Sequence, residues 1–320
     1  MKKVVVLMSA YNGEKYIQEQ INSILCQRGM NTLFHLSILV RDDGSTDGTE
    51  NILNKLSASN NVVILNKLTD NVGVKKSFFH LLNNAPEADL YFFSDQDDIW
   101  PQNKVERFFA HYGSLKKTDQ NKAVGLYSDL WIADEFGKST NIKMSEMYDW
   151  SRNADYQYLS WNYRVTGAAF AINSNTKNIL SNLTENIIDK INMHDSFIGL
   201  IISTTGKLIE IDEPLLYYRQ HESNVVGASH SSKSILQRIR LLLSTVERLE
   251  NDNLLLLKWI DEEHPELNDG GNPRFYFDHF KTLKYSRNLI KRVLAWKYLA
   301  SNITLNKIRV VSFVKAVGRM

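Results

Sequence analysis

Three short apolar runs, at residues 4–8, 36–40 and 90–93, each stop abruptly in a polar cluster. The first ends in Ser9-Ala10-Tyr11-Asn12-Gly13-Glu14, the second in Asp42-Asp43-Gly44-Ser45-Thr46-Asp47 and the third in Asp95-Gln96-Asp97-Asp98. A further run, at 62–65, lies between the second and third. Continuous apolar runs this short read as strands buried on both faces, and helical spacing alternates with them: Ile17, Ile21 and Ile24, then Val74, Phe78 and Leu81 or Leu82. Strands alternating with helices predict an α/β half over about 3–112, a mostly parallel sheet flanked by helices. The carboxyl ends of parallel strands share one edge, where open α/β folds bind ligands, so the three clusters are expected to converge.

Beyond residue 112 the pattern changes. Shorter strand candidates stand at 123–127, 165–172 and 207–211, with a helix opening near Asp195. From Ser231 the chain reads as helical, and Ile235, Ile239, Leu242, Val246 and Leu249 recur at alternating four-three spacing until Asn253. That seam suits helices pairing within the chain or in a homodimer. Residues 265–273, with Pro265, Gly270, Gly271 and Pro273 beside Asn268 and Asp269, read as a linker. The expected organisation is a catalytic domain at 1–228 and a helical carboxyl-terminal region at 229–320. A chain of 320 residues with 43% hydrophobic and 23% charged content has ordinary globular composition, which excludes disorder as its main state. The single Cys26 excludes an intrachain disulfide and a cysteine-rich zinc cluster. The opening apolar run is cut by Ser9, Tyr11, Asn12 and Glu14 too early for a signal peptide, and no run approaches the roughly 20 residues of a spanning helix.

The net charge of +2 hides an asymmetry. Residues 281–320 carry ten Lys or Arg and no Asp or Glu, so the rest of the chain holds 28 basic and 36 acidic groups, a net −8. A basic block on an acidic body predicts an anionic contact. Leu289, Val293, Trp296 and Ala300 fall on one helical face and Lys284, Arg287 and Lys291 on another, the pattern of a helix lying at an anionic membrane surface or of a packing helix with a solvated basic face. No nucleic-acid-binding motif accompanies it.

Asp95 and Asp97 are carboxylates one residue apart at a strand end, a pair that suits Mg²⁺ or Mn²⁺ shared with substrate phosphates. Adjacent carboxylates repel one another unless a cation or a proton intervenes. The alternative is an acidic loop capping a helix that begins near Pro101. Likewise, the 42–47 string is also a good turn and helix-cap sequence. Lys75 or Lys76, after Asn71-Val72-Gly73, is a candidate phosphate contact or an exposed helical lysine.

Taken in order and spacing, Ser9-Ala10-Tyr11-Asn12, Asp42 to Asp47 and Ser94-Asp95-Gln96-Asp97-Asp98-Ile99-Trp100 resemble the family 2 inverting glycosyltransferases with the GT-A fold, over about 1–225. Ser94 to Trp100 and Tyr218-Arg219-Gln220-His221-Glu222-Ser223-Asn224 are similar to rhamnosyltransferase-like members of bacterial surface-polysaccharide assembly. The resemblance implies a nucleotide over the first two strand ends. Tyr11 would lie against the base and Asp43 would accept its ring N–H, with Ser9, Ala10, Asn12, Glu14 and Gln96 in the same motifs. It implies Asp97 as metal ligand, Asp95 on the nucleotide sugar, His221 as a later metal ligand or diphosphate contact, and Arg219 assisting. The carboxylate that takes the acceptor proton maps to Asp195, preceded by His194; without the resemblance, Asp195 reads as a helix cap. Gly167 and Ala168 sit where the family lines the acceptor side. Trp100, Trp131 and Trp161 are candidates for stacking on sugar rings or for core packing.

The expected activity is metal-dependent inverting transfer from a pyrimidine-nucleotide sugar, dTDP-rhamnose first and UDP-hexoses next. The expected acceptor is a polyprenyl-diphosphate-linked glycan of O-antigen, capsule or a related polymer, at the cytoplasmic face of the plasma membrane. From another class, a haloacid-dehalogenase-like phosphatase also places an Asp-x-Asp after a strand, but it leaves the Tyr11 and Asp43 clusters unexplained.

Overall fold

β1 (Lys2–Ala10) buries Val4, Val6, Met8 and Ala10 on one face and Val5 and Leu7 on the other, the period-two signature of a strand covered on both sides. The structure, a computed structural model, describes residues 1–58, 61–65, 70–148, 150, 154–221, 234–264 and 273–318. The chain forms two compact units. The first comprises Met1–Ser151, Val165–Ser181 and Thr205–Gly227, and the second Arg152–Arg164, Asn182–Thr204 and Ala228–Met320. Residues 152–164 and 182–204 precede the expected boundary at 228 yet group with the carboxyl-terminal helices.

In the first unit β1 pairs in parallel with β2 (Phe34–Asp42) and β4 (Leu90–Ser94), and β2 with β3 (Val62–Ile64). The sheet continues through β5 (Ala123–Ala133), β6 (Ser139–Lys143) and β7 (Phe170–Asn173) in the order β3-β2-β1-β4-β7-β5-β6, with β8 (Gly206–Arg219) parallel on β5. The first four strands are parallel as the alternation required, whereas β7 runs antiparallel to both β4 and β5. Helices α1 (Ile17–Leu25), α2 (Thr49–Leu56), α3 (Gly73–Asn84) and α4 (Lys104–Gly113) intervene, followed by the short α5 (Lys117–Gln120) and α6 (Met144–Met147) and, after α7 (Tyr156–Leu159) of the second unit, by α8 (Ser174–Leu180). Ile17, Ile21 and Ile24 join Val4, Val6, Phe92, Val105 and Phe108 in one core. Each fully buried side chain of this kind stabilises by about 1.5–3 kcal/mol. On the other face of the sheet, Phe78 meets Phe93 at 5.6 Å between ring centres, and Phe93 stacks on Phe170 at 5.7 Å.

Two strand expectations change. The apolar run 165–172 is broken by a 3₁₀ turn at Gly167–Ala169 before β7 begins. The run 207–211 extends to Arg219, because β8 pairs with almost the whole of β5. Pro214 falls opposite Asp129 where the register shifts, as a strand proline without an N–H requires. A bridge between Ile99 and Tyr217 then brings the end of β8 beside the residues that follow β4.

The second unit contains α7, α9 (Glu185–Lys190), α10 (His194–Thr205), α11 (Ile235–Glu263), α12 (Pro273–Tyr285), α13 (Leu289–Ala300) and α14 (Asn306–Gly318). The seam differs from its expectation. Ile235 and Ile239 are exposed, burial starts at Val246, and Asn253 does not interrupt α11. Its amide donates to Ser160 O and Leu249 O at 2.8 and 2.7 Å. Trp161, expected as a sugar platform or core, is core: it is buried against Phe280 at 5.0 Å. The apolar face expected on α13 is also corrected. Of the expected face Ala300 is buried, Val293 and Trp296 are half-buried and Leu289 is exposed, while Arg292, Ala295 and Leu299 are the other buried residues. The 265–272 part of the expected linker lies outside the described residues.

Candidate active site

The registers of β1 set the site. Ala10 lies opposite Asp42 and Met8 opposite Ser94, so all three polar clusters leave the sheet at one level. The Gln96 side chain fastens the first cluster to the third: Tyr11 N donates to its Oε1 and its Nε2 donates to Tyr11 O, both at 2.8 Å. Gly13 is the residue that permits this, since a Cβ there would overlap the Gln96 amide. Asn12, at φ 50°, fastens the first cluster to the second, donating from N to Ser45 Oγ and accepting at Oδ1 from Thr46 N, both at 2.8 Å. Glu14 accepts from Gly48 N at 2.6 Å and its own N donates to Asp47. Asn12 and Glu14 thus join two loops. The Tyr11 ring remains 48% exposed, a flat apolar surface at the edge of the sheet.

Asp43 is buried and follows β2. Its carboxylate accepts from Val72 N and Gly73 N, both at 2.9 Å, and pairs with the buried Arg41 guanidinium. It caps the start of α3, where the exposed amides and the helix dipole favour negative charge. A carboxylate has roughly four acceptor positions, so three described donors leave room for one more. Ser9 bonds Ser77 Oγ at 2.6 Å, holding β1 to α3, and Ala10 is fully buried beneath Tyr11. Lys76 is half-buried in the first turn of α3.

After β4, Asp95, Gln96 and Asp97 are half-buried and Asp98 is wholly buried. Burial first, then the charges of Asp97 and Asp95, push the Asp98 carboxyl well above the usual range. Its Oδ1 accepts from Arg219 N at 3.1 Å. Lys104, also buried, donates to Ala168 O at 2.7 Å and lies 3.9 Å from the centre of the Trp100 ring. Burial lowers its pKa to about 7, against the pull of Asp98 and Asp95.

His221 Nε2 stands 2.9 Å from Asp97 Oδ2, and its ring stacks on Tyr16 at 4.8 Å. Among the described residues, His, Cys, Asp and Glu side chains form no metal-holding group of three or more. A carboxylate beside an imidazole, with Asp95 two residues earlier, fits a hard cation held by few protein ligands and completed by substrate phosphates.

Three expectations are corrected. Arg219 is buried, its Nε donating to Asp97 O at 2.7 Å and its terminal nitrogens to Glu135 O at 2.9 Å and the Glu19 carboxylate at 2.5 Å. It is an internal strut rather than a donor contact. Trp100 is buried against Phe92 at 5.5 Å, so it cannot stack on a sugar. Gly167 and Ala168 are buried as well, and pack beneath the surface rather than line it. Trp131 is half-buried with Lys143 Nζ 5.6 Å from its ring centre. Glu222, Ser223 and Asn224 lie outside the described residues.

His194 and Asp195 belong to the second unit, in the first turn of α10. His194 is buried, and that burial lowers its pKa against the opposing charge of Asp195. Asp195 is half-buried and accepts from Ser196 N at 2.6 Å. The sequence reading missed Tyr16, Glu19, Arg41 and Lys104. Tyr16 and Arg41 left a signal, an aromatic just beyond the first cluster and a cation two residues before Asp43, whereas Glu19 and Lys104 bond partners far along the chain.

Residues 5–170 match the model of glycosyl transferase family 2. The chain belongs to that family and is a glycosyltransferase with the GT-A fold, which displaces the phosphatase alternative. The dTDP-rhamnosyl transferase RfbG of Shigella flexneri is 31% identical over 253 residues, covering 76% of this chain and 81% of the relative. Among solved structures, S. aureus TarS residues 1–349 in complex with UDP-GlcNAc aligns with a TM-score of 0.52 at 16% identity, over 99% of this chain and 92% of that one. The mannosyltransferase PcManGT of Pyrobaculum calidifontis, in complex with GDP-Man and Mn²⁺, aligns with a TM-score of 0.52 at 14% identity, over 100% and 81%. At those identities the two structures share the fold alone.

Proposed function

We propose that the protein is a metal-dependent inverting glycosyltransferase of surface-polysaccharide synthesis that transfers rhamnose from dTDP-rhamnose, a UDP-hexose being the second donor class. The observation that carries this reading is the joining of the Tyr11, Asp43 and Asp95–Asp97 clusters along one sheet edge through the Gln96 and Asn12 side chains. The RfbG relative, by its name a dTDP-rhamnosyl transferase, supports the choice of donor.

Tyr11 offers its exposed ring to the base, and Asp43 its remaining acceptor position to a ring N–H. Asp97, with Asp95 and His221, would hold Mn²⁺ or Mg²⁺, which when bound offsets the charge of the departing nucleoside diphosphate. By its family position, Asp195 takes the acceptor hydroxyl proton as that oxygen attacks the anomeric carbon opposite the leaving diphosphate, which inverts the configuration. The acceptor in this reading is a polyprenyl-diphosphate-linked glycan at the cytoplasmic face of the membrane, met through the basic carboxyl-terminal region.

The test is a panel of nucleotide sugars with Mn²⁺ or Mg²⁺, with and without chelator. Asp97→Asn is expected to abolish both donor hydrolysis and transfer, and Asp195→Asn to abolish transfer while donor binding remains. General-base removal ordinarily costs about 10²–10⁴-fold. Transfer that survives both substitutions, or that ignores chelator, overturns these assignments.

A further inference from the structure

α13 and α14 pack on one another through polar and aromatic contacts. Trp296 meets Phe313 at 4.7 Å and donates to Ser312 Oγ at 3.0 Å, and the buried Arg292 donates from Nε to Ala316 O at 2.7 Å. The side of α13 turned away from this contact carries aliphatic residues in water, Ile290 at 70% exposure and Leu294 at 61%. At 100° per residue, Ile290 and Leu294 share a stripe flanked by Lys291 and Lys297. Both lysines are exposed.

Exposed aliphatic groups gathered this way mark a surface that something covers. The charge selects what. Residues 281–320 contain no acidic side chain, so the occupant is anionic. A second copy meeting this face through two-fold symmetry would set lysine against lysine. Nucleic acid would satisfy the cations but leave the aliphatic stripe without a counterpart. An anionic bilayer answers both, with headgroups for the lysines and the acyl boundary for Ile290 and Leu294.

We propose that the exposed stripe of α13 docks on an anionic phospholipid surface. This deepens the reading of a membrane-bound acceptor and draws its purpose from it, but the docking is measured without catalysis.

The experiment is co-sedimentation of the full chain with vesicles of phosphatidylcholine alone and of phosphatidylcholine with roughly one-third phosphatidylglycerol. Binding is expected only to the anionic vesicles, reduced by salt. Ile290→Ser with Leu294→Ser, and separately Lys291→Glu with Lys297→Glu, are each expected to lower the partition coefficient about tenfold or more. Circular dichroism melts and donor hydrolysis should match the parent, because all four positions lie on the surface. Equal binding by parent and variants overturns the proposal, as does absence of vesicle binding by the parent. A dimer in sedimentation equilibrium that these substitutions dissociate also overturns it, in favour of a second copy. Vesicle binding without donor hydrolysis supports the docking while sinking the glycosyl-transfer reading, and hydrolysis without vesicle binding does the reverse.

Discussion

Gln96 uses both ends of its amide on the backbone of Tyr11 and so extends the β1–β4 pairing by what amounts to one more rung. If Tyr11 carries the base, this amide sets the ring's position. Gln96→Ala removes two hydrogen bonds worth about 1 kcal/mol each. The expected result is a rise of about tenfold or more in the donor KM, with a small loss in thermal midpoint. Gln96→Glu keeps an oxygen for Tyr11 N but turns it against Tyr11 O, and is expected to be no better than alanine. An unchanged donor KM in both variants would remove Tyr11 from the donor site. At this scale the sequence was legible wherever a role depends on neighbours in the chain. Ser9 to Glu14, Asp42 to Asp47 and Asp95 to Asp98 stand as contiguous strings after apolar runs. It was illegible where burial by distant partners decides. Trp100 lies under the surface because of Phe92, and Arg219 is consumed by Glu19 and two carbonyls from separate loops.

Elements show the same division. β1, β2, β4 and α1 could be read from periodicity because each buries its own regular pattern. β6 could not, with no buried residue to mark it, and the full extent of β8 depends on its pairing with β5. In α10 the opening His194 is buried, and that burial takes its pKa below 6.5. Between the lowered folded value and 6.5 the unfolded chain binds a proton that the folded chain refuses. This contribution to stability is therefore complete above about pH 6.5 and is lost as pH falls toward the folded value. Thermal melts of the parent and of His194→Gln from about pH 7 to pH 5 should show the parent losing more of its midpoint. Parallel slopes would mean that His194 accepts its proton in the folded state.

The whole molecule interleaves its two units along the chain, and so a cut chosen from sequence alone has a physical consequence. Residues 152–164 and 182–204 precede the expected boundary at 228, yet they belong with the carboxyl-terminal helices. Trp161 loses Phe280 if the chain stops there, Ser160 loses the Tyr276 hydroxyl and the Asn253 amide, and Asn192 N loses the Asp252 carboxylate. Stripping the surroundings of one buried tryptophan compares with deleting a large core side chain, about 3–5 kcal/mol, which is a large fraction of a domain's total stability of roughly 5–15 kcal/mol. Ile187 and Ile188 lie in the same inner segments and are buried in the complete chain. A chain ending at residue 228 is therefore expected to associate or to lose its near-ultraviolet circular dichroism and cooperative melt, even though it holds every strand of the sheet. Size-exclusion chromatography with calorimetry reads the outcome. A monomer melting cooperatively near the full-length midpoint would mean that the inner segments fold without the helices, and that the compact second unit is a matter of contact rather than of energy.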